Sequence, residues 1–319
     1  METKPLAIGV DLGGTQLRAA LIDRDGAVRN RKSVFTKAAG GPDVVLGQIE
    51  HLVGSVLQGV DGRDITGIGV SAPGPLDTSN GVALSIPTLA GFVDYPLAAA
   101  LQKRLPFPVS LENDGISAAI GEWRFGAGRG FENVVYVTVS TGIGGGVIID
   151  NRVLRGRLGM AGHIGHMILV PDGELCSCGN LGCFESYASG SAFAARATSQ
   201  AEKPEASTSL GANGAAIDSP AVFSAARAGD ALAQELVRQE ARILGTGFAS
   251  LVHLFSPDVI VMGGGLSHEF DALYPAMSAR LQECAMPAFK DVRIVRSQLG
   301  ENSGLVGAAC LVHEKAEDP

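Results

Sequence analysis

Apolar residues along this chain fall into short runs separated by longer amphipathic stretches. The first run, Leu6 to Val10, meets a glycine turn at Gly13 and Gly14, and a second follows from Leu17 to Ile22, which predicts strand, turn and strand. Apolar positions from Val44 to Leu57 recur at helical spacing. Ile65 to Val70 reads as a strand, Leu97 to Leu105 as a helix and Val109 to Leu111 as a short strand, with a helix from about Asp114 to Arg124 leading away from it. A second series opens on the β-rich VVYVTVS at residues 134 to 140, then TGIGGG and the run Val147 to Ile149. Residues 151 to 190 are loop-rich, and the polar passage from about Ser199 to Ala216 reads as a flexible surface connection. Helical spacing resumes at Ala221 and runs, with a break near Gly229, to Phe255. A strand (Val259 to Met262), a sharp turn (Gly263 to Gly265), a helix (Ala272 to Glu283), a strand (Val292 to Val295) and a helix (Gly304 to Val312) complete the chain.

Strands alternating with helices in both halves predict an α/β chain with two sheet-centred domains. Each half has a strand running into a glycine turn beside a Thr, DLGGT in one and STGIGGG in the other, and each turn leads to another strand. That rhyme suggests duplicated topology with a ligand in the cleft between the halves. The length of 319 residues exceeds one typical core and suits two. Apolar residues at 46% and charged residues at 18% fit a globular chain, and 43 glycines without a collagen-like period point to tight turns and close backbone approaches. A net charge of −8 without clustered Lys and Arg argues against a nucleic-acid partner and for small molecules. No apolar run has the roughly 18 residues needed to span a bilayer. The opening METKPLAIGVDLGG lacks the basic start, apolar stretch and cleavage site of a signal peptide, so the expectation is a cytoplasmic protein with no membrane partner.

Three groups of residues suggest chemistry. Asp11 to Thr15 offers two glycine N–H groups and a Thr hydroxyl to phosphate oxygens, and a carboxylate to Mg²⁺; a plain hairpin turn explains the same residues. Thr141 to Gly146 and Gly263 to Gly265 repeat the device, and none is followed by GK[ST]. Asp114 follows a short strand and opens a helix, which by itself suits a helix cap first and a base at a cleft edge second, with Asn113 beside it to donate or accept. His166, Cys176, Cys178 and Cys183 supply one imidazole and three thiolates, the ligand set of a closed tetrahedral Zn²⁺ site with a structural role. Cys284 and Cys310 stand alone and read as small buried hydrophobes.

Taken with SAPGPLD at 71 to 77, ENDG at 112 to 115, AGHIGH at 161 to 166, CSCGNLGCFESYASG at 176 to 190 and VIVMGGG at 259 to 265, the chain resembles the ROK family of sugar kinases and related repressors. The motifs look like those of its bacterial glucokinases and N-acetylmannosamine kinases. The resemblance implies an actin-like ATPase (ribonuclease H-like) fold. It implies a small domain of residues 1–118 plus 300–319 with the first phosphate loop and the catalytic Asp. A large domain, 119–299, carries the zinc site and the nucleotide-binding glycine turns. ATP with Mg²⁺ and the sugar meet in the interdomain cleft, and the assembly is a homodimer or is built from dimers. By family position Asp114 is the general base on the sugar 6-hydroxyl. Asn113, His163, Glu185, Thr88 and Gly74 face the sugar, and Asp11, Gly13, Gly14, Thr15, Thr141, Gly142, Gly264 and Gly265 serve the nucleotide. The zinc fixes the loop bearing His163 and Glu185, while Ser71 and Glu122 lie on matching segments.

Two positions depart from the family pattern. Glu is usual where this chain has His163, and Asn where it has Thr88. An imidazole lacks the charge and second oxygen of a carboxylate, so hydroxyl recognition changes there. The implied function is ATP-dependent, glucokinase-like phosphorylation of a hexose, with N-acetylmannosamine as alternative acceptor. Other classes are a sugar-sensing repressor or a non-catalytic sugar-binding protein. Such repressors carry a helix-turn-helix before the DxGGT turn, where this chain has ten residues.

Overall fold

A computed structural model describes residues 5–315, so residues 1–4 and 316–319 of the expected small domain lie outside the described residues. The first two apolar runs form a hairpin of β1 (Leu6–Leu12) and β2 (Gln16–Asp23), which β3 (Val28–Phe35) extends. The sequence pattern misses β3 because VRNRKSVF has no apolar face: it is an exposed edge strand whose Arg29, Arg31 and Lys32 deter pairing with another chain. Next come α1 (Gly41–Val56) and β4 (Ile65–Ala72), then a small antiparallel sheet of β5 (Leu76–Asp77), β6 (Val82–Ser85) and β7 (Val93–Tyr95). After α2 (Leu97–Gln102) and β8 (Val109–Asn113), α3 (Asp114–Phe125) begins without a linker. The second series is β9 (Val134–Val139), β10 (Ile143–Ile149), β11 (Arg152–Val153), α4 (Glu185–Ala188) and α5 (Gly190–Ala201). It continues through α6 (Ser219–Arg227), α7 (Ala231–Phe255), β12 (Val259–Gly263), α8 (Phe270–Cys284), β13 (Arg293–Arg296) and α9 (Ser303–Lys315).

Among the described residues the chain divides into two compact units, 5–132 with 145–162 and 298–315, and 133–144 with 163–297. The expected boundary at 118 cuts α3, which lies whole in the first unit because it packs along α9.

The first unit is built on a sheet of order β3-β2-β1-β4-β8, with β1 antiparallel to β2 and parallel to β4. Strand alternation sorts its two faces. Ile8, Val10, Leu12, Leu17, Ala19 and Leu21 join α1 residues such as Leu46, Ile49 and Val53 in one core, while Ala7, Ala20 and Ile22 meet Leu305, Val306 and Ala309 of α9 on the other face. Helix α9 lies so close that a Cβ on Gly69 of β4 would fall 1.7 Å from the Ala308 carbonyl oxygen. Polar residues at the ends of β1, β2 and β4, namely Asp11, Arg18 and Ser71, share this α9 face.

Glu122 fixes the start of α9. Its carboxylate, with no exposure to solvent, accepts the Leu299 N–H (2.9 Å), the Gln298 N–H (3.1 Å), the Ala127 N–H (2.9 Å) and the Ser303 hydroxyl (2.8 Å). Glu122→Gln turns an amide NH₂ towards these donors and is expected to cost about 3 kcal/mol of stability in urea unfolding. An unchanged midpoint would show that the clamp contributes nothing.

In the second unit β9, β12 and β13 run parallel with β12 in the centre. The break near Gly229 separates α6 from α7, and Asp230 caps α7 by accepting the Ala233 N–H. The other oxygen of Asp230 takes the Ser209 N–H (2.6 Å) and the Thr208 hydroxyl (2.8 Å), so the passage read as a flexible connection begins inside α5 and is pinned near its middle. Cys310 is buried as read, whereas Cys284 is only half-buried at the end of α8. No helix among the described residues is long and apolar enough to cross a membrane.

Candidate active site

In the first unit the register sets Arg18 opposite Asp11, Asp11 beside Ser71, and Ser71 beside Glu112, so a polar row crosses four strands near their ends. Asp11 accepts from Arg18 Nη1 (2.9 Å) and from the Ser71 hydroxyl (3.3 Å). Burial pushes the Asp11 carboxyl above its ordinary range, and Arg18 opposes that shift. Glu112 is buried and its carboxyl is likewise raised by burial, against the Arg155 guanidinium 2.9 Å away. These residues precede the turn into α3, where Asp114 read in isolation suits a helix cap and the family resemblance makes it a base.

The cap is Asn113. Its Oδ1 accepts the N–H groups of Gly115 (3.0 Å) and Ile116 (3.3 Å), and its backbone is extended, as a cap requires. Asp114 is therefore the first helical residue, and its Oδ1 accepts the Gly115 N–H at 2.8 Å. The residue is exposed, yet the protein crowded around it desolvates the carboxylate. Together with the Asp11 charge this pushes its pKa up to about 6, against the Gly115 hydrogen bond.

Glycines in the expected phosphate turns answer partly to packing. Gly13 closes its turn by donating to the Gln16 carbonyl (2.9 Å), and a Cβ on Gly14 would stand 2.7 Å from that of Thr88, which places Thr88 against the DLGGT loop. In the second unit Gly142 lets Glu185 approach: a Cβ there would lie 2.5 Å from Glu185 Oε2, which accepts the Ile143 N–H at 2.8 Å. Gly264 has φ +80°, a left-handed conformation that favours glycine. Around these turns Ser140, Thr141, Gly190, Phe223, Gly265 and His268 line a cavity of about 580 Å³ within the second unit. Gly74 links β4 to β5 through a cis peptide to Pro75.

The four expected metal ligands converge. His166, Cys176, Cys178 and Cys183 place their ligand atoms within 4.8 Å of one another, with Cys178 and Cys183 sulfurs 3.6 Å apart and Cys176 Sγ 3.7 Å from His166 Nδ1. A tetrahedron with metal–sulfur bonds of about 2.3 Å has edges of about 3.8 Å, so the donors fit Zn²⁺. Glu185 joins this loop to the Gly142 turn, since its second oxygen accepts the Ser177 hydroxyl at 2.9 Å. The ring of His163 lies 6.4 Å from that of His166, nearly parallel to it.

A family model described as ROK family matches residues 7–315. The chain belongs to the ROK family. It is 36% identical over 317 residues to a glucokinase of Streptomyces coelicolor, covering 97% of this chain and 98% of that one. It is 33% identical over 306 residues to an N-acetylmannosamine kinase of Escherichia fergusonii, covering 95% and 97% respectively. The crystal structure of a ROK family glucokinase from Streptomyces griseus with glucose and AMPPNP superposes with a TM-score of 0.85 at 36% identity, covering 97% of this chain and 99% of that one. The fold is accordingly the actin-like ATPase fold of ROK kinases.

Arg18 and Arg155, each on a carboxylate of the polar row, escaped the sequence reading. For Arg18 a signal existed. A hairpin closing at Leu12 and Leu17 necessarily sets Arg18 opposite Asp11. Nothing local in the sequence pairs Arg155 with Glu112, which are 43 residues apart.

Proposed function

We propose that this ROK protein is an ATP-dependent hexose kinase acting on the 6-hydroxyl, with Asp114 as general base. The observation that carries this reading is the division of labour at the mouth of α3, where Asn113 caps the helix and the Asp114 carboxyl, of pKa about 6, is not needed for the cap. The sugar oxygen attacks the γ-phosphorus as the bond from phosphorus to the β,γ-bridging oxygen breaks; that electron pair leaves with ADP, and the hydroxyl proton passes to Asp114. Asp11, a hard oxygen donor, would hold a Mg²⁺ brought with the nucleotide, which would supply neutralisation of phosphate charge. Gly13, Gly14 and Thr15 are assigned to phosphate oxygens. Thr141, Gly142, Gly264 and Gly265, with the cavity they border, are assigned to the rest of the nucleotide. Glu185, His163, Asn113, Thr88 and Gly74 are assigned to the sugar, and His166, Cys176, Cys178 and Cys183 to a structural Zn²⁺. The same reading makes the protein a cytoplasmic homodimer whose partners are ATP and a sugar.

A second acceptor is supported by His163 in place of the usual Glu and by the 33% identity to an N-acetylmannosamine kinase. ADP release with Mg·ATP over glucose, N-acetylmannosamine, N-acetylglucosamine, mannose, fructose and allose separates the readings. Glucose is expected to give the largest kcat/KM. Preference for N-acetylmannosamine would establish the second reading, and silence across the panel would overturn both in favour of a sugar-binding or sensing role.

The base must be ionised to accept a proton. As pH falls through about 6, Asp114 takes a proton and kcat/KM is expected to drop about tenfold per unit. A profile flat down to pH 5 would remove Asp114 from the rate equation.

A further inference from the structure

The assignments above leave Arg18 unused. It sits on β2 on the face shared with Ala20 and Ile22, beside the place where the first turn of α9 reaches the site: a Cβ on Gly304 would stand 3.3 Å from Asp11 Oδ1 and 3.4 Å from Ser71 Oγ. Its Nη1 donates to Asp11 at 2.9 Å and its Nη2 to the exposed Gln16 side chain at 2.6 Å, while its buried Nε–H meets no acceptor. A guanidinium carries five N–H donors in a rigid fork that matches phosphate as well as carboxylate geometry. Arg31, the other cation felt by Asp11, already donates to Glu301 at 2.8 Å near the surface. Arg18 thus combines three properties: it is anchored by one carboxylate, its side chain keeps 20% exposure, and it stands three residues beyond Thr15 of the glycine turn.

We propose that Arg18 donates to the terminal phosphoryl group of ATP during transfer, with Asp11 holding the guanidinium in place. This rests on the kinase reading. Negative charge on the transferring group spreads over its equatorial oxygens, and a preorganised cation there acts where charge neutralisation lowers the barrier. The bond changes are those already given; Arg18 supplies hydrogen bonds and charge and exchanges no proton. Nη1 keeps one N–H on Asp11, and its second N–H together with those of Nη2, which otherwise meets only the exposed Gln16 side chain, are the donors offered to the phosphoryl oxygens.

The test compares Arg18→Ala, Arg18→Gln and Arg18→Lys with the full-length protein, and Arg31→Ala as a control. Arg18→Ala and Arg18→Gln are expected to lower kcat about 100-fold with the sugar KM unchanged. Arg18→Lys is expected to recover about tenfold of that loss, and added guanidinium ion to restore part of the Arg18→Ala rate. Arg31→Ala stays within threefold of the parent. In calorimetric titrations Arg18→Ala weakens Mg·AMPPNP about tenfold and leaves Mg·ADP unchanged, a selectivity that a residue acting only by orienting Asp11 does not produce. A kcat within threefold of the parent, or equal losses for the two nucleotides, overturns the proposal. Should the neutral variants not fold, the AMPPNP-to-ADP affinity ratio of Arg18→Lys decides, a ratio unchanged from the parent counting against it. If the parent protein phosphorylates no hexose, the kinase reading fails, and the titrations alone decide whether Arg18 senses the terminal phosphate.

Discussion

Asp114→Asn is expected to lower kcat about 10³-fold while the dissociation constant of the sugar changes by no more than a few-fold. The exchange is nearly isosteric. The asparagine Oδ1 still accepts the Gly115 N–H, and the cap of α3 is untouched because Asn113 provides it. Only the ability to take a proton is lost. Stability moves the other way. A carboxyl raised in the folded state to about 6 contributes stability below its unfolded value, near 4, and loses that contribution as pH rises through 6. At pH 7.5 the ionised Asp114 is therefore a net cost, and the Asn variant should melt no lower than the parent. Steady-state rates, sugar titration and a thermal melt check the three parts. Near-normal turnover would exclude Asp114 as the base, and a lowered melting temperature would return it to a structural role.

Elements with a strong apolar period were legible along the chain, and those shaped by solvent were not. The β1–β2 hairpin, the α1 stripe and the break between α6 and α7 lie where apolar spacing predicts them, because each buries its face in a core. Edge strand β3 and the two- to four-residue strands β5 to β7 bury too little to leave a pattern. At the site, spacing was enough to bring His166 and the three cysteines together, since close-set thiols have few other uses in a loop. It was not enough to tell Asn113 from Asp114 as the cap, because either side chain suits that position and only the backbone turn decides. Glycine was the least specific signal. Gly142 makes room for Glu185, and a Cβ on Gly115 would lie 2.4 Å from the Gly145 carbonyl oxygen, so part of what reads as a phosphate loop is helix packing.

Replacing Cys183 with serine is expected to abolish zinc binding, lower the melting temperature by about 10 °C and raise the sugar KM about tenfold. The segment around the cluster has little regular secondary structure. From Gly156 to Phe184 it holds two three-residue 3₁₀ turns and the isolated bridges Ile168–Cys183 and Leu175–Leu181, and its apolar side chains Ile168 (63%) and Leu175 (70%) face solvent. Without a cation, burial and the neighbouring thiols push the Cys183 thiol up to about 12, and on the zinc reading a divalent ion would supply the charge that lets three thiolates sit together. On the zinc reading, loss of the ion would release Ser177 and Cys176, both of which meet Glu185 Oε1, and leave only the Ile143 N–H on Oε2 among the recorded contacts that orient Glu185. The KM effect is therefore transmitted through Glu185 and should appear equally in Glu185→Ala, with the double variant no worse than the single. Metal analysis of the reduced parent is expected to give one zinc per chain, and excess Zn²⁺ should not raise kcat, since four protein ligands leave no position open for chemistry. Zinc-free parent protein with full stability would sink the structural assignment, and a rise of kcat with added metal would move the site from architecture to catalysis.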